Sequence, residues 1–435
     1  MQCPLLARLP LILLLALLVC SPFASASEVS ERLRHRLEAL QAPGELVAGN
    51  ETLFATVVLG EFYEARGHQP LWLEDDAPSE ILLSLPAAIR AASGEGLTST
   101  HYHLASIEEI LPQVASGVPA DPRVLVDLEL LASDAFLTLA RHYADGKVDP
   151  VSIDPHWFLE RRNTNLLPLL DATVGRRFAS AEEALATLLP SQPEYAALRD
   201  RLAMQREFRQ DDSWTRIPAG PILREGDAGE RVGALAARLA ELGDLELAWS
   251  ESEQFDSIIS DAVRRFQTRH GLDADAAVGP RTLTALNVSP AARIAQLKVN
   301  MERWRWLPRD LGQQFILVNI AGFYMVVRSG DEEVMRQPVV VGRPYRSTPV
   351  FSYRMTYLVL NPSGEVRPRQ DQLPLIKRGP KHIERMGSTV LCRWGAAEEL
   401  IDPKSADWMG LSARNLSYRL PLSPAPIACD SGPDP

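Results

Sequence analysis

Cysteine is scarce in this chain. Four occur in 435 residues, at positions 3, 20, 392 and 429. They form no Cys-x-x-Cys pair and no Cys/His cluster, so the ligand set of a zinc site is missing. Histidine is thin as well, with eight scattered residues. The one close alternation, His101 and His103, reads as a polar loop. No metal and no cofactor are therefore expected. Positive charge is in deficit: Lys and Arg number 45 against 56 Asp and Glu, a net charge of −11. Such a chain has no electrostatic footprint for a phosphate backbone, so nucleic acid is not an expected partner.

Apolar material is plentiful at 46% of residues, and at roughly 100–200 residues per domain the length predicts two to four domains. The start of the chain has the pattern of an export signal. Arg8 supplies positive charge, and Leu9 to Val19 is apolar apart from Pro10. Ala24-Ser25-Ala26 offers small residues before a cut at Ser27. The apolar run is too short for an ordinary membrane span. Residues 1–26 are thus expected to be a signal peptide, with a retained N-terminal anchor as the rival reading. Cys20 suggests a lipoprotein site, but Val19 is larger than that site wants. Removal of the signal leaves Cys392 and Cys429, which an exported protein could pair.

Residues 28–215 read as a helical scaffold. Leu125, Leu128, Leu131, Ala135 and Leu139 repeat at helical spacing on one face. Asp149-Pro150 breaks the pattern. Ser191-Gln192-Pro193-Glu194 predicts a helix start with Ser191 as N-cap. Residues 221–287 predict a small three-helix bundle. Gly226 and Gly229 mark a turn, and Val232, Leu235, Leu239 and Leu242 line a first helix stopped at Gly243. Ile259, Val263 and Phe266 line a second helix closed by Gly271, and a third passes through Thr282, Leu283 and Leu286.

From Phe315 the pattern turns to strands: Phe315–Ile320 as a buried run, then Phe323–Arg328, Val334–Val341, Thr348–Phe351 and Met355–Leu360. This predicts a mainly antiparallel β domain over 300–420. Five prolines fall in the last fifteen residues, which forbids regular structure there. Residues 421–435 read as an unrelated tail. The fold class expected is α+β, multidomain.

These segments resemble the domains of one known family. Leu223-Arg224-Glu225-Gly226, Ala262-Val263-Arg264-Arg265-Phe266-Gln267, Gly271-Leu272, Asp275, Val278-Gly279 and Ala285-Leu286 are similar to a type 1 peptidoglycan-binding domain. Ala276 departs from it, because the family usually has Gly there, where φ can be positive. A slightly different local turn is expected. Asn300-Met301-Glu302-Arg303-Trp304-Arg305-Trp306-Leu307-Pro308 resembles the linker into the catalytic domain of large periplasmic L,D-transpeptidases. Val318-Asn319-Ile320, Val341-Gly342, Thr348-Pro349-Val350-Phe351 and Asn361-Pro362 resemble the opening of that YkuD-type domain. Asp134-Ala135-Phe136-Leu137 and Gly146-Lys147-Val148-Asp149-Pro150 resemble the family's scaffold.

The resemblance implies a periplasmic protein of cell-wall biogenesis and cell shape. Peptidoglycan, its glycan strands and its stem peptides, would be the partner, with cell-wall synthesis proteins as further partners. The family's reaction is acyl transfer between stem peptides through a cysteine thioester. That needs a thiolate, a nearby His and amide donors for the oxyanion. The family carries them in a Ser-His-Gly-Cys-x-Arg stretch, and this sequence has none. Val390-Leu391 precede Cys392, Arg393 follows it directly, and His382 is ten residues back with no motif around it. Ser363-Gly364-Glu365 also replaces the aromatic residues usual after Asn-Pro.

No residue is therefore assigned as catalytic. The expectation is a family member truncated near Leu420 before its cysteine motif. The alternatives are a non-catalytic wall-binding or assembly protein and, more weakly, catalysis through Cys392. Arg224, Asp275 and Arg281 are the candidate glycan-binding residues.

Overall fold

The computed structural model describes residues 28–39, 45–160, 162–208 and 214–356, and shorter stretches at 364–365, 378, 380–385, 390–394, 397–401, 418–419 and 421–422. The expected signal peptide, Asn361-Pro362-Ser363 and Cys429 lie outside the described residues. The chain divides into two compact units, Met1–Phe351 and Ser352–Pro435. It has an α+β architecture with several domains: helices dominate the first unit, and every strand pair in a sheet is antiparallel.

The first helices are α1 (Glu28–Glu38), α2 (Thr56–Ala65), α3 (Glu80–Ala91), α4 (Leu104–Val114) and α5 (Pro122–Asp145). Two-residue strand pairs, β1 (Val47–Ala48) with β2 (Glu51–Thr52) and β3 (Leu73–Glu74) with β4 (Ala77–Pro78), punctuate them. Helix α5 is the axis of this domain. Asp121 caps it by accepting the Arg123 amide at 2.8 Å, Pro122 opens it, and Gly146 at φ +83° ends it. The expected apolar face is there, but α5 is buried on almost every side, from Leu125 to Asp145. At about 1.5–3 kcal/mol for each large apolar side chain buried, this one helix organises the core.

Being buried all round, α5 also buries carboxylates, and each is met by donors. Asp134 accepts the amides of Phe54 (2.8 Å) and Ala55 (2.6 Å) at the start of α2 and faces His103 Nε2 at 2.8 Å. Glu129 accepts from the Tyr63 hydroxyl (2.6 Å) and from the amides of Leu71 and Trp72. His103 is therefore not part of a polar loop. It is buried, left-handed at φ +52°, and held between Glu51 and Asp134.

Helices α6 (Pro150–Ile153), α7 (Leu167–Val174), α8 (Ala181–Ala186) and α9 (Pro193–Phe208) complete the domain. A capping box starts α8: Ser180 accepts the Glu183 amide at 3.2 Å while the Glu183 carboxylate accepts the Ala179 amide at 2.7 Å. Helix α9 begins at Pro193 as the sequence predicts, but the residue before it is Gln192, whose carbonyl accepts the Tyr195 amide at 3.0 Å. The cap is thus one residue later than Ser191.

The bundle is α10 (Glu230–Glu241), α11 (Ser257–Arg269) and α12 (Pro280–Leu286), packed on Val232, Leu235, Leu239, Val263, Phe266 and Leu286. Helix α13 (Pro290–Trp306), capped by Ser289, then runs back against α9 around Tyr195, Leu202, Ile294 and Met301. Its last turn locks into the scaffold. Glu302 Oε1 accepts the amides of Lys147 (2.6 Å) and Val148 (2.9 Å) and the Trp306 indole (3.1 Å). Arg305, 1% exposed, reaches Glu302, Tyr195 and the Glu95 carbonyl. A Cβ at Gly146 would lie 2.6 Å from the Trp306 ring. The two stretches that resemble the family at 146–150 and 300–308 are thus two sides of one contact.

Strands β5 (Gln314–Asn319), β6 (Tyr324–Ser329) and β7 (Glu332–Pro338) form a meander in that order, with a bulge at Val327/Arg328. The expected buried run at Phe315 is instead alternately half-buried and exposed, and β7 is exposed throughout. One face of a three-stranded sheet shields too little to bury a continuous apolar run. β7 stops at Pro338 and does not extend to Val341. The stretch expected as a strand at Thr348 contributes one parallel bridge, Val350 to Trp157, with Phe158 N donating to Val350 O at 2.8 Å. Of the strand expected over Met355–Leu360, Met355 and Thr356 lie outside any strand and the rest outside the described residues.

In the second unit β8 (Gly364–Glu365) pairs with β12 (Pro421–Leu422). α14 (Pro380–Arg385) precedes a sheet in which β9 (Val390–Trp394) lies between β10 (Ala397–Ile401) and β11 (Tyr418–Arg419). The tail expected to lack regular structure thus contributes one two-residue strand at its start.

Candidate functional site

The bundle carries the three polar candidates read from the sequence. Its local geometry is set by Gln267, 1% exposed and fully used. The Gln267 amide nitrogen places its two hydrogens among three acceptors, Asp275 Oδ1 (2.9 Å), the Ala277 carbonyl (3.0 Å) and Thr282 Oγ1 (3.2 Å), so one hydrogen is shared. Its carbonyl oxygen accepts the Ala276 amide at 2.9 Å. This one side chain pins the Asp275-Ala276-Ala277 turn to α11 and α12. The turn does not relax around the alanine: Ala276 itself adopts φ +61°. The expected departure of the turn is therefore corrected. Three contacts of Gln267 with the turn and the Ala277 amide bond to Asp275 impose the left-handed backbone, and the residue accepts the strain.

Asp275 Oδ1 also accepts the Ala277 amide at 2.9 Å. That amide, the Gln267 amide and the charge of Arg224 together hold its carboxyl below the usual aspartate range. Arg224 comes near because Leu223 bridges Val278, with Val278 N donating to Leu223 O at 2.9 Å. The Arg224 amide in turn donates to Asp227 at 2.8 Å and fixes the Gly226 turn. Arg281 is exposed on α12, and among the described residues its side chain makes no hydrogen bond or ion pair. The structure thus brings Arg224 and Asp275 together, gives Asp275 a turn-holding role, and leaves the two guanidiniums toward solvent.

The late cysteine lies in a regular ladder. Cys392 is central in β9, opposite Glu399 on one side and Tyr418 on the other. His382 is half-buried on α14. Among the described residues, no group of three or more His, Cys, Asp or Glu is placed to hold a metal.

Several buried polar groups carry no site motif in the sequence. Glu129, Asp134 and His103 form buried polar contacts, and His142 is pushed down to about 4 by burial and by the nearby cations Lys147 and Arg305. The signal that could have found the first two is their position: carboxylates in the middle of a helix whose other residues are apolar must have partners or unfold it.

Three family models match the chain in succession. Residues 58–202 match the scaffold domain, 228–286 the "Putative peptidoglycan binding domain", and 313–411 the L,D-transpeptidase catalytic domain. A protein of Haemophilus influenzae named "Putative L,D-transpeptidase" is 29% identical over 128 residues, 29% of this chain. The match spans a quarter of that relative's length, 25%. The chain thus carries, in order, matches to the scaffold domain, the peptidoglycan-binding domain and the L,D-transpeptidase catalytic domain.

Proposed function

We propose that these 435 residues act as a peptidoglycan-binding member of the family that does not itself carry out acyl transfer. The observation that carries this is the setting of Cys392. The matched catalytic region, 313–411, contains this one cysteine and no Ser-His-Gly-Cys stretch. Its backbone is paired on both sides within a strand, with no His beside it in sequence. A cysteine nucleophile needs a base and oxyanion donors next to it. Export to the cell-wall compartment is part of the reading, supported by the signal-like pattern over residues 1–26 and by the nature of the matched domains.

Binding is assigned to the bundle, with Arg224 and Arg281 as polar contacts and Asp275 as the residue that holds the turn beside Arg224. The test has two arms. Purified chain is incubated with isolated sacculi and with stem-peptide substrates. Retention on sacculi is expected, and the double variant Arg224→Glu/Arg281→Glu should lower it severalfold. Crosslink formation is expected to be absent and unchanged in Cys392→Ala. Crosslinking lost on that substitution would overturn the non-catalytic reading, and no retention by the wild type would overturn the binding one.

A further inference from the structure

A second polar site lies away from the bundle's Arg224 face, where α9, α11 and α13 meet. A recess of about 180 Å³ is lined there by Arg201, Arg269, Arg293 and His270 with the amides of Gln205 and Gln296. Among the described residues no carboxylate lines it. It adjoins a cleft of about 1090 Å³, sharing Arg201, Leu242, Arg269, Leu297 and Asn300 with it. The cleft continues past Trp304 to Tyr324 on β6.

The charge balance of the recess is unusual for a chain with net charge −11. Arg269 pairs with the nearly buried Asp244, the only carboxylate among these contacts. Arg293 donates to His270 Nε2 at 3.0 Å, to Gln296 Oε1 at 3.1 Å and to the Ala285 carbonyl at 3.2 Å, all uncharged if His270 is neutral. It is neutral: burial, then the charges of Arg293, Arg269 and Arg201, push it down to about 4, and its Nδ1 donates to the Phe266 carbonyl at 2.8 Å. Arg201 is half-buried and has no hydrogen bond or ion pair among the described residues. Burial lowers Arg293 as well, with Arg269, Arg238 and Arg201 adding to the effect. Asp244 pairs directly with Arg269 alone and offsets one charge, so an anion in the recess relieves the repulsion that is left among the three guanidiniums, and a guanidinium fork fits a planar carboxylate.

We propose that this recess binds a carboxylate of a peptidoglycan stem peptide, with the rest of the muropeptide lying along the cleft toward Trp304 and Tyr324. This rests on the wall-binding reading and adds a second subsite to it, on the scaffold side of the bundle. The cleft favours a peptide-borne carboxylate over a small free anion. Its apolar and aromatic walls, Leu297, Leu317, Trp304 and Tyr324, offer a bound molecule more than charge. Arg201 is the residue to test, because among the described residues it makes no hydrogen bond or ion pair, and Asp244, which its charge reaches, keeps Arg269 as its direct partner.

The full chain is titrated by calorimetry with a disaccharide-tetrapeptide muropeptide, the same compound with its carboxylates amidated, an N-acetylglucosamine oligosaccharide, and inorganic phosphate. Binding of the first is expected to weaken at least tenfold in Arg201→Glu and less in Arg201→Lys, with unchanged melting temperature. It should also weaken on amidation and with rising salt. Equal binding by wild type and Arg201→Glu would overturn the proposal. So would phosphate binding as tightly as the muropeptide, which would mark a site for any anion. Sacculus retention of the same variants separates the two readings. A wild type retained on sacculi whose muropeptide binding ignores Arg201 removes the recess alone, whereas a wild type not retained removes the wall-binding reading.

Discussion

Ala276 shows how a single residue can be at odds with its own backbone. A non-glycine residue in the left-handed region costs roughly 1–2 kcal/mol, partly offset because glycine is freer in the unfolded chain. Ala276→Gly should therefore stabilise the bundle by about 1 kcal/mol, read as slower hydrogen exchange across α10, α11 and α12 in the full chain. An unchanged or faster exchange would mean that the turn is not strained. Position 276 is visible in the sequence as a departure, but its sign is not, because the sign depends on Gln267 holding the turn, which no local pattern encodes. Glu129 gives a second prediction at this scale. Burial lifts it from an ordinary 4.5 to about 7, against the pull of Tyr63 and the Leu71 and Trp72 amides. Below 4.5 the folded and unfolded chains both carry the proton. Between 4.5 and 7 only the folded one does, so stability falls as pH rises, by about 3 kcal/mol in all. His103, raised by Asp134 and Glu51 against burial, acts in the same direction: its contribution is full below its ordinary 6.5 and is lost as pH climbs through the raised value. The melting temperature should therefore fall from pH 5 to pH 8, and Glu129→Gln should flatten the slope. Parallel slopes would show that Glu129 ionises normally.

At the scale of elements, periodicity and punctuation made α5, the start of α9 and the three bundle helices legible. Pro193, Gly243 and Gly271 all mark real helix boundaries. What periodicity could not show is how elements dock, because docking depends on polar groups with no repeat. The contact of α13 with the 146–150 loop rests on Glu302, whose carboxylate meets two backbone amides, one indole and one guanidinium. Removing it leaves the buried Arg305 guanidinium without its carboxylate, while water can reach the exposed Lys147 and Val148, so Glu302→Ala should cost on the order of 1–3 kcal/mol. Glu302→Gln, which keeps the shape and one accepting oxygen, should recover part of that. Urea unfolding followed by tryptophan fluorescence checks both, since Trp306 and Trp157 meet edge-to-face at 5.3 Å beside the contact. Equal midpoints for wild type and Glu302→Ala would mean that α13 is held by its apolar face alone.

At the scale of the molecule, the order of domains could be read from motifs because each motif is a packing contact: Phe266-Gln267 in the bundle, and Glu302 to Trp306 in the linker. The β region was read less well. Alternating and buried strands differ by what covers them, and the sequence of a strand does not contain its cover. Ile316 and Val318 on β5 and Val334 and Met335 on β7 are each more than two-fifths exposed. β5 and β7 are also the outer strands of the described sheet. Exposed apolar side chains on an outer strand with free backbone groups favour pairing with a second chain. A lysine there blocks such pairing by charge without touching the core. Val334→Lys should lower light scattering of concentrated protein during mild heating, and as an exposed substitution it should shift stability by no more than about 0.5 kcal/mol. Substituting Val326, the buried member of β6, with Lys should instead unfold the sheet and raise scattering. If Val334→Lys left scattering unchanged while Val326→Lys raised it, association would run through local unfolding, and the outer strands would not be its route.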